Sequence, residues 1–410
     1  MPRISDSLTL RGRCFLAAGA ALIVCGLGLG FREITRIGVL VGGLPLLVGF
    51  IGVRRSLHLR TDRAVVPGRI RIDEVSDVVL TVVNRDTRPT PILMAEEQLD
   101  YALGDRPRFV IPRLAPGEHQ QLPYRVRSNV RGRHRLGPLA LRVKDPFELT
   151  IRLAVVADVG EVIVLPRIID LSGGGTATGV GTEGTIPHMV ALHGEDDVSV
   201  REYRDGDDLR RIHWPATART GDLMVRQEDR PARRRAVVLL DDRESTPSGP
   251  RSSGSFEWAI TAVASVSALL TRSGLAVHLV SGGSVTDAPS DDPHGLDDLL
   301  EALAVAEPTG ADIFARSLSA AADRIGDGAM LVSVLGPLSS REAVAVARLR
   351  TGGSPALALV MDLGGSGSDV AARTAAELRT HGWTATLVAN GTSVGSAWLD
   401  LASTVSAVRR

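Results

Sequence analysis

The sequence predicts a multi-domain chain with an N-terminal helical hairpin, a β-sandwich and a C-terminal α/β doubly wound parallel sheet. Three observations carry this. Two apolar runs without a charged residue, 14–31 and 37–53, open the chain. Short β-like runs separated by Pro, Gly and Asn turns follow to about residue 168. From Ala236 onward, strand-like and helix-like segments alternate. A length of 410 residues suits two or three domains, since single cores rarely grow past roughly 250–300 residues.

Each apolar run spans about 26 Å as a helix, close to the thickness of a hydrocarbon core. Arg3, Arg11 and Arg13 precede the first run, and Arg54, Arg55 and Arg60 follow the second. Residues 32–36 read as the turn between two transmembrane helices. The positive-inside rule then places both termini and the soluble domains in the cytoplasm, on a cell membrane crossed twice. A cleaved signal peptide fits the arginines and the small residues Ala18 to Ala20. It does not fit a second apolar run directly afterwards. Both cysteines, Cys14 and Cys25, lie in the first run and read as apolar filler.

The boundaries read as 1–56 for the hairpin, 57–168 for the sandwich, 169–194 for a Gly/Thr-rich linker, 195–230 for a charged motif and 231–410 for the α/β domain. Runs such as Val78–Val83, Tyr124–Arg127, Leu139–Val143 and Val162–Leu165 have the length and spacing of an immunoglobulin-like sandwich. The stretch 100–108 stays ambiguous. In the linker, Gly173-Gly174-Gly175 lacks the lysine and the following helix of a phosphate loop, so it reads as a connector. Expected α/β strands are 236–240, 276–280, 330–335, 357–361 and 384–388, with helices over 256–272, 297–306, 312–325, 340–350 and 369–381. Continuous apolar strands of this kind are buried on both faces.

Charge excludes one broad class. Basic and acidic residues number 47 each, and a balanced chain lacks the basic excess of a nucleic-acid binder. The basic side chains are nearly all arginine, Lys144 being the one lysine.

The densest chemistry lies in 194–223. Asp205-Gly206 reads as a turn, Asp207 or Asp208 as the cap of a short helix over Leu209 to Trp214, and Thr220-Gly221-Asp222 as a turn into Leu223 to Arg226. Tyr203 and Trp214 read as core anchors. The segments Arg201-Glu202-Tyr203, Gly206-Asp207-Asp208, Arg211-Ile212-His213-Trp214 and Ala218-Arg219-Thr220-Gly221-Asp222-Leu223 together resemble the signature of the bacterial domain-of-unknown-function family number 58. The stretches Arg131 to Pro138 and Asp145-Pro146-Phe147 resemble that family's β-domain motifs. The resemblance implies a von Willebrand factor A-type α/β domain. It also implies a MoxR-type AAA+ ATPase as partner, and sometimes a transglutaminase-like membrane protein.

Domains of the implied type often hold Mg²⁺ on an Asp-x-Ser-x-Ser loop, with a Thr on a second loop and an Asp on a third. Here Asp241 and Ser245 match, but Arg243 stands at the first Ser. A cation there opposes a metal and can pair with Asp241 or Glu244 instead. The second loop offers Thr309, with Ala311 at the aligned position, and the third, Val334 to Pro337, has no acid. No metal and no cofactor is therefore expected.

Two functions remain. The first is a non-enzymatic, membrane-anchored scaffold or adaptor that works with the ATPase in assembly or maturation of cell-envelope or protein complexes. The second is a metal-dependent hydrolase using Glu195, Asp196, Asp197, Glu202, Asp207 and Asp208. The arginines interleaved with those acids explain them as ion pairs and caps. His188, His193 and His213 have no Gly-x-Ser-x-Gly elbow to serve, which removes a serine-hydrolase reading. The scaffold reading is preferred.

Overall fold

The computed structural model describes residues 8–54, 57–145, 147–171, 200–203, 212–226, 235–244, 254–282, 295–325, 329–350, 354–363 and 367–408. The chain divides into two compact units, 1–165 and 166–410.

The first unit opens with two antiparallel helices, α1 (Leu10–Leu29) and α2 (Arg32–Arg54). Thr9 caps α1, its Oγ1 accepting the Gly12 N–H at 3.1 Å. Gly30 ends it in the left-handed region at φ +73°. The turn is therefore Gly30-Phe31, and not 32–36 as the charge pattern suggested. Those residues form the first turns of α2, where Arg36 pairs with Glu33 one turn away at 2.9 Å. The buried face of α1 is Gly12, Gly19 and Gly26, spaced by sevens. A Cβ on Gly19 would stand 2.5 Å from the Gly42 nitrogen and 2.9 Å from the Gly38 carbonyl oxygen, so the helices meet backbone to backbone. Val24, Leu27, Leu40, Leu46 and Phe50 point outward. Both helices are long and apolar enough to cross a membrane, which is consistent with anchoring.

The rest of the unit is two sheets. Strands β1 (Leu59–Val66), β3 (Val75–Asn84) and β6 (His119–Arg127) form one antiparallel sheet in the order β1-β3-β6. The other runs β2-β9-β7-β4-β5, from β2 (Arg69–Arg71), β4 (Leu93–Leu99), β5 (Arg108–Ile111), β7 (Gly132–Lys144) and β9 (Gly160–Leu165), with β8 (Ile151–Val156) added on β7. The β2–β9 pair is parallel and the others antiparallel. Alternate residues of β3 are buried, as one solvated face requires. Leu80, Val82 and Leu122 from the first sheet meet Leu93, Ile111, Leu139 and Leu141 from the second. The ambiguous 100–108 stretch is a single 3₁₀ turn, Tyr101–Leu103, before β5.

One ion pair is sealed between the sheets. Arg63 Nε donates to Glu97 Oε1 at 2.6 Å, and Arg63 Nη1 donates to the Asp158 carbonyl at 2.8 Å. Tyr124 donates its hydroxyl to the same carboxylate at 3.4 Å; burial, and then the Glu97 charge, push its phenol up. Gly137, in the Arg131–Pro138 motif, lies at φ +96° with Arg63 Nη2 2.6 Å from where a Cβ would be. That position accepts only glycine on both counts.

In the second unit, β10 (Val200–Glu202) pairs antiparallel with β11 (Met224–Arg226), and α3 (Trp214–Thr220) leads into β11. A five-stranded parallel sheet follows, built from β12 (Arg235–Leu240), β13 (Ala276–Val280), β14 (Met330–Leu335), β15 (Ala356–Met361) and β16 (Thr384–Val388). Its order is β13-β12-β14-β15-β16. Around it lie α4 (Ser255–Arg272), α5 (Leu296–Val305), α6 (Ala311–Arg324), α7 (Ser340–Ala347), α8 (Gly367–Thr380) and α9 (Val394–Val408). Phe314 of α6, Val346 of α7 and Leu378 of α8 share one core with Val237, Leu239, Leu331 and Val360 of the sheet. Every strand foreseen in the α/β region is present within one residue. α9 was not foreseen.

Candidate functional site

In an open parallel sheet, ligands and partners meet the loops at the carboxyl ends of the strands, where the strand order reverses direction. Here that point lies between β12 and β14. The loop after β12 carries Asp241, Asp242, Arg243 and Glu244; the loop after β14 carries Gly336 and Pro337.

Asp241 and Arg243 are both buried. The guanidinium grips the Asp241 carboxylate with two parallel bonds, Nε to Oδ1 at 2.8 Å and Nη2 to Oδ2 at 2.7 Å. Nη2 also donates to the Pro337 carbonyl at 3.0 Å, and Nη1 to Glu342 Oε1 at 3.1 Å. The group lies over the Phe314 ring, 4.8 Å from its centroid. Asp241 Oδ2 accepts the Gly336 N–H at 2.8 Å. One arginine thus ties the loop after β12 to the loop after β14 and to the start of α7.

Glu342 closes the far side. Its Oε2 accepts the Ser339 N–H at 2.9 Å and the Ser339 hydroxyl at 2.6 Å, the reciprocal cap of α7. Partial burial disfavours its charge. The Ser339 bonds and Arg243 outweigh this and hold the carboxyl below the usual range. Burial likewise disfavours the charged guanidinium, and the bonds to Asp241 with the charges of Asp241 and Glu342 outweigh it, so Arg243 is raised. Asp242 differs. It faces the other way, accepting the Gly282 N–H at 2.6 Å and the Thr309 hydroxyl at 3.0 Å. Burial pushes its carboxyl up, and the neighbouring Asp241 adds to the rise against those two bonds.

The sequence reading is therefore met in part. Arg243 pairs with Asp241, but its second acid is Glu342 and not Glu244. Glu244 instead donates its N–H to the Thr309 carbonyl at 2.8 Å. Thr309 does reach the loop, but on Asp242. Ala311 is the first residue of α6. Ser245 lies outside the described residues. The third loop has no acid of its own, and Glu342, one helical turn further on, supplies one. The Ser339-x-x-Glu342 spacing marks a helix start in the sequence, and that was the available signal. Phe314 had none.

Both oxygens of Asp241 are occupied by the Arg243 guanidinium. Among the described residues, no three His, Cys, Asp or Glu side chains are placed to hold a metal. Beside the buried arginine, α6 and α7 leave an open groove of about 670 Å³, with Phe314, Leu318, Ala345 and Leu349 on its walls and Asp312, Arg341 and Arg348 on its rim.

The described residues of the charged motif, 200–203 and 212–226, bond to one another. Tyr203 N donates to the Leu223 carbonyl and His213 N to the Met224 carbonyl, both at 2.8 Å. Of the expected helix over 209–214, residues 209–211 lie outside the described residues; Ile212 bridges Val225, His213 is a cap, and α3 starts at Trp214 with Pro215 in its first turn. Pro fits there because its missing N–H has no helical partner to lose. His213 Nδ1 accepts the Ala216 N–H at 3.2 Å. Gly221 ends α3 at φ +85°. Trp214 is 66% exposed and is not a core anchor; Tyr203 is half-buried. Glu202, Ala218, Arg219, Gly221 and Leu223 are exposed. Arg201 lies in β10. Gly206, Asp207, Asp208 and Arg211 lie outside the described residues, as do His188, His193 and the acids of the alternative hydrolase reading apart from Glu202.

These features define a doubly wound α/β domain whose switch-point loops are closed by an internal arginine, preceded in the chain by two membrane-length helices and a two-sheet domain. Residues 199–336 match the model of the family described as "Protein of unknown function DUF58". No curated protein matches it. Among solved structures, it is similar to the alkylpurine DNA glycosylase AlkC of Pseudomonas fluorescens, bound to DNA containing an abasic site analog, at 14% identity over 31% of this chain, with a TM-score of 0.18. The alignment spans 39% of that protein's length. A CARDB domain from Pyrococcus furiosus, in complex with di-metal ions, aligns at 14% identity over 26% of this chain and 91% of that one, with a TM-score of 0.20. A putative ApaA protein from Bordetella pertussis aligns at 11% identity over 27% and 94%, with a TM-score of 0.21. At these scores the likenesses carry no functional weight.

Proposed function

We propose that the protein is a non-enzymatic, membrane-anchored scaffold whose α/β domain binds a protein partner without a metal. The observation that carries this is Arg243. A domain that recruits partners through a bound Mg²⁺ needs hard oxygen ligands with one open coordination position. The Asp241 oxygens are instead spent on a buried guanidinium. A charge pair of this kind fixes loop geometry more than it adds stability. The open groove between α6 and α7 and the exposed Trp214 supply contact surface of the type that anchors protein interfaces.

On this reading the α/β domain is of the von Willebrand factor A type and the two-sheet domain is immunoglobulin-like. α1 and α2 cross a cell membrane with both termini and the soluble domains in the cytoplasm. The family resemblance points to a MoxR-type AAA+ ATPase as the partner, with a transglutaminase-like membrane protein as a further associate. Assembly or maturation of cell-envelope complexes is the process that fits a membrane scaffold paired with an ATPase.

The test is a pull-down with the detergent-solubilised full chain, read by mass spectrometry in EDTA without nucleotide, in Mg²⁺ alone, and in Mg²⁺ with ATP. An AAA+ ATPase recovered in all three is the expected result. Recovery that needs Mg²⁺ but not ATP means that a metal completes the interface. Absence of an ATPase from all three removes the proposed partner.

A further inference from the structure

The loop between β7 and β8 contains the Asp145-Pro146-Phe147 motif and runs against the membrane-length helices. Thr9 at the head of α1 donates its N–H to the Leu149 carbonyl at 3.0 Å and its hydroxyl to the Glu148 carbonyl at 2.6 Å. Arg11 pairs with the Glu148 carboxylate at 3.0 Å, and Lys144 approaches the same group at 3.6 Å. Gly12 packs on the Leu149 carbonyl so closely that a side chain there has no room. Across the loop, Thr150 Cγ2 lies 3.7 Å from the Cβ position of Gly49 in α2.

These contacts set the loop's depth. Gly12 lies two residues before the first apolar run, and Gly49 lies four residues inside the end of the second. Four residues of helix rise about 6 Å. The loop therefore sits level with the boundary between headgroups and acyl chains, beside the arginines that mark that boundary.

The loop is also stiff. Asp145 accepts the Phe147 N–H at 2.8 Å on one oxygen, and the Thr150 N–H and hydroxyl on the other. Leu149 is buried, yet Phe147 is 58% exposed. An aromatic side chain gains by leaving water, and a braced loop presents it at no further ordering cost.

We propose that Asp145 and residues 147–150 form a lipid-contacting foot, with Phe147 inserted at the headgroup–acyl boundary of the leaflet from which α1 and α2 emerge. The partner is a phospholipid surface, and the proposal rests on the reading that α1 and α2 span a membrane. The foot would fix the two-sheet domain against the bilayer at a point apart from the helices themselves.

The test uses the full chain, with Cys14→Ser and Cys25→Ser, reconstituted in phosphatidylcholine–phosphatidylglycerol vesicles. An environment-sensitive fluorophore is placed on F147C, on L46C in the outward face of α2, or on Tyr101→Cys, a position 96% exposed. F147C should lose roughly half of its emission to lipids carrying a nitroxide near the headgroup, and little to aqueous iodide. L46C should respond to a nitroxide deep in the chains, and the label at 101 to iodide alone. F147C quenched by iodide like position 101, with L46C still quenched by the deep nitroxide, overturns the foot and leaves the membrane hairpin standing. L46C untouched by lipid nitroxides overturns both.

Discussion

Arg243 donates to both oxygens of Asp241, to the Pro337 carbonyl and to Glu342, and it stacks on Phe314. A side chain so completely engaged is not waiting for a ligand. A smaller oxygen donor in its place should open the Asp241 carboxylate to a cation. Arg243→Ser restores the Asp-x-Ser-x-Ser spacing at 241–245 and frees the Asp241 oxygens. The variant is expected to be less stable than the parent, since a buried carboxylate loses its partner. It should also become responsive to Mg²⁺, gaining about 1.4 kcal/mol at a concentration about ten times its dissociation constant. Thermal unfolding with Mg²⁺ and with EDTA measures this. The parent should show no difference. A variant equally indifferent to Mg²⁺ would mean that the loop never presents oxygens to a cation, and that Arg243 replaces nothing. Much of this chemistry was readable in advance. Arg243 interrupting Asp241 to Ser245 is visible in the sequence. Its pairing with Glu342 is not, because the two residues are 99 apart and meet only when β12 and β14 lie side by side.

Helices and strands were legible in proportion to how local their causes are. β12, β13 and β14 are continuous apolar runs bounded by Gly, Asp or Pro, and a strand buried on both faces leaves no other pattern. α9 also carried a signal, since its buried residues Val394, Ala397, Trp398, Leu401 and Ala402 follow the helical period. It went unread because no following strand demanded a crossover. α3 carried little signal, because the cap at its start is a histidine rather than Ser, Thr, Asp or Asn. The hairpin is the case where composition misleads: Arg32 to Arg36 look like a turn, yet left-handed Gly30 ends α1 first. Its close packing makes a further prediction. Gly19→Leu puts a branched side chain where the α2 backbone already lies, and helix pairs held by small residues have little other attraction to offset the clash. The helices should part by roughly 2–3 Å. Spin labels on Cys25 and on Ile37→Cys, in a Cys14→Ser background, read that separation by pulsed EPR. An unchanged, narrow distance distribution in Gly19→Leu would show that the glycine stripe does not set the spacing.

At the scale of the whole molecule, two units with separate cores should unfold as two cooperative transitions. The placement of tryptophan makes this measurable without cutting the chain. All four, Trp214, Trp258, Trp383 and Trp398, lie in the second unit, so tryptophan emission reports that unit alone while far-ultraviolet circular dichroism reports both. Arg243→Ala strands Asp241 in a buried site and should cost the α/β unit about 3–5 kcal/mol. For a unit of this size that lowers its midpoint by roughly 10 °C. Leu80→Ala opens a cavity in the two-sheet core, where Leu80 is wholly buried, at a cost of about 2–5 kcal/mol to the first unit. The expected pattern is asymmetric. Arg243→Ala moves the tryptophan-detected melt and one of the two dichroism transitions. Leu80→Ala moves the other dichroism transition and leaves the tryptophan melt in place. A Leu80→Ala shift that appears equally in tryptophan emission would mean that the two units share their stability and unfold as one.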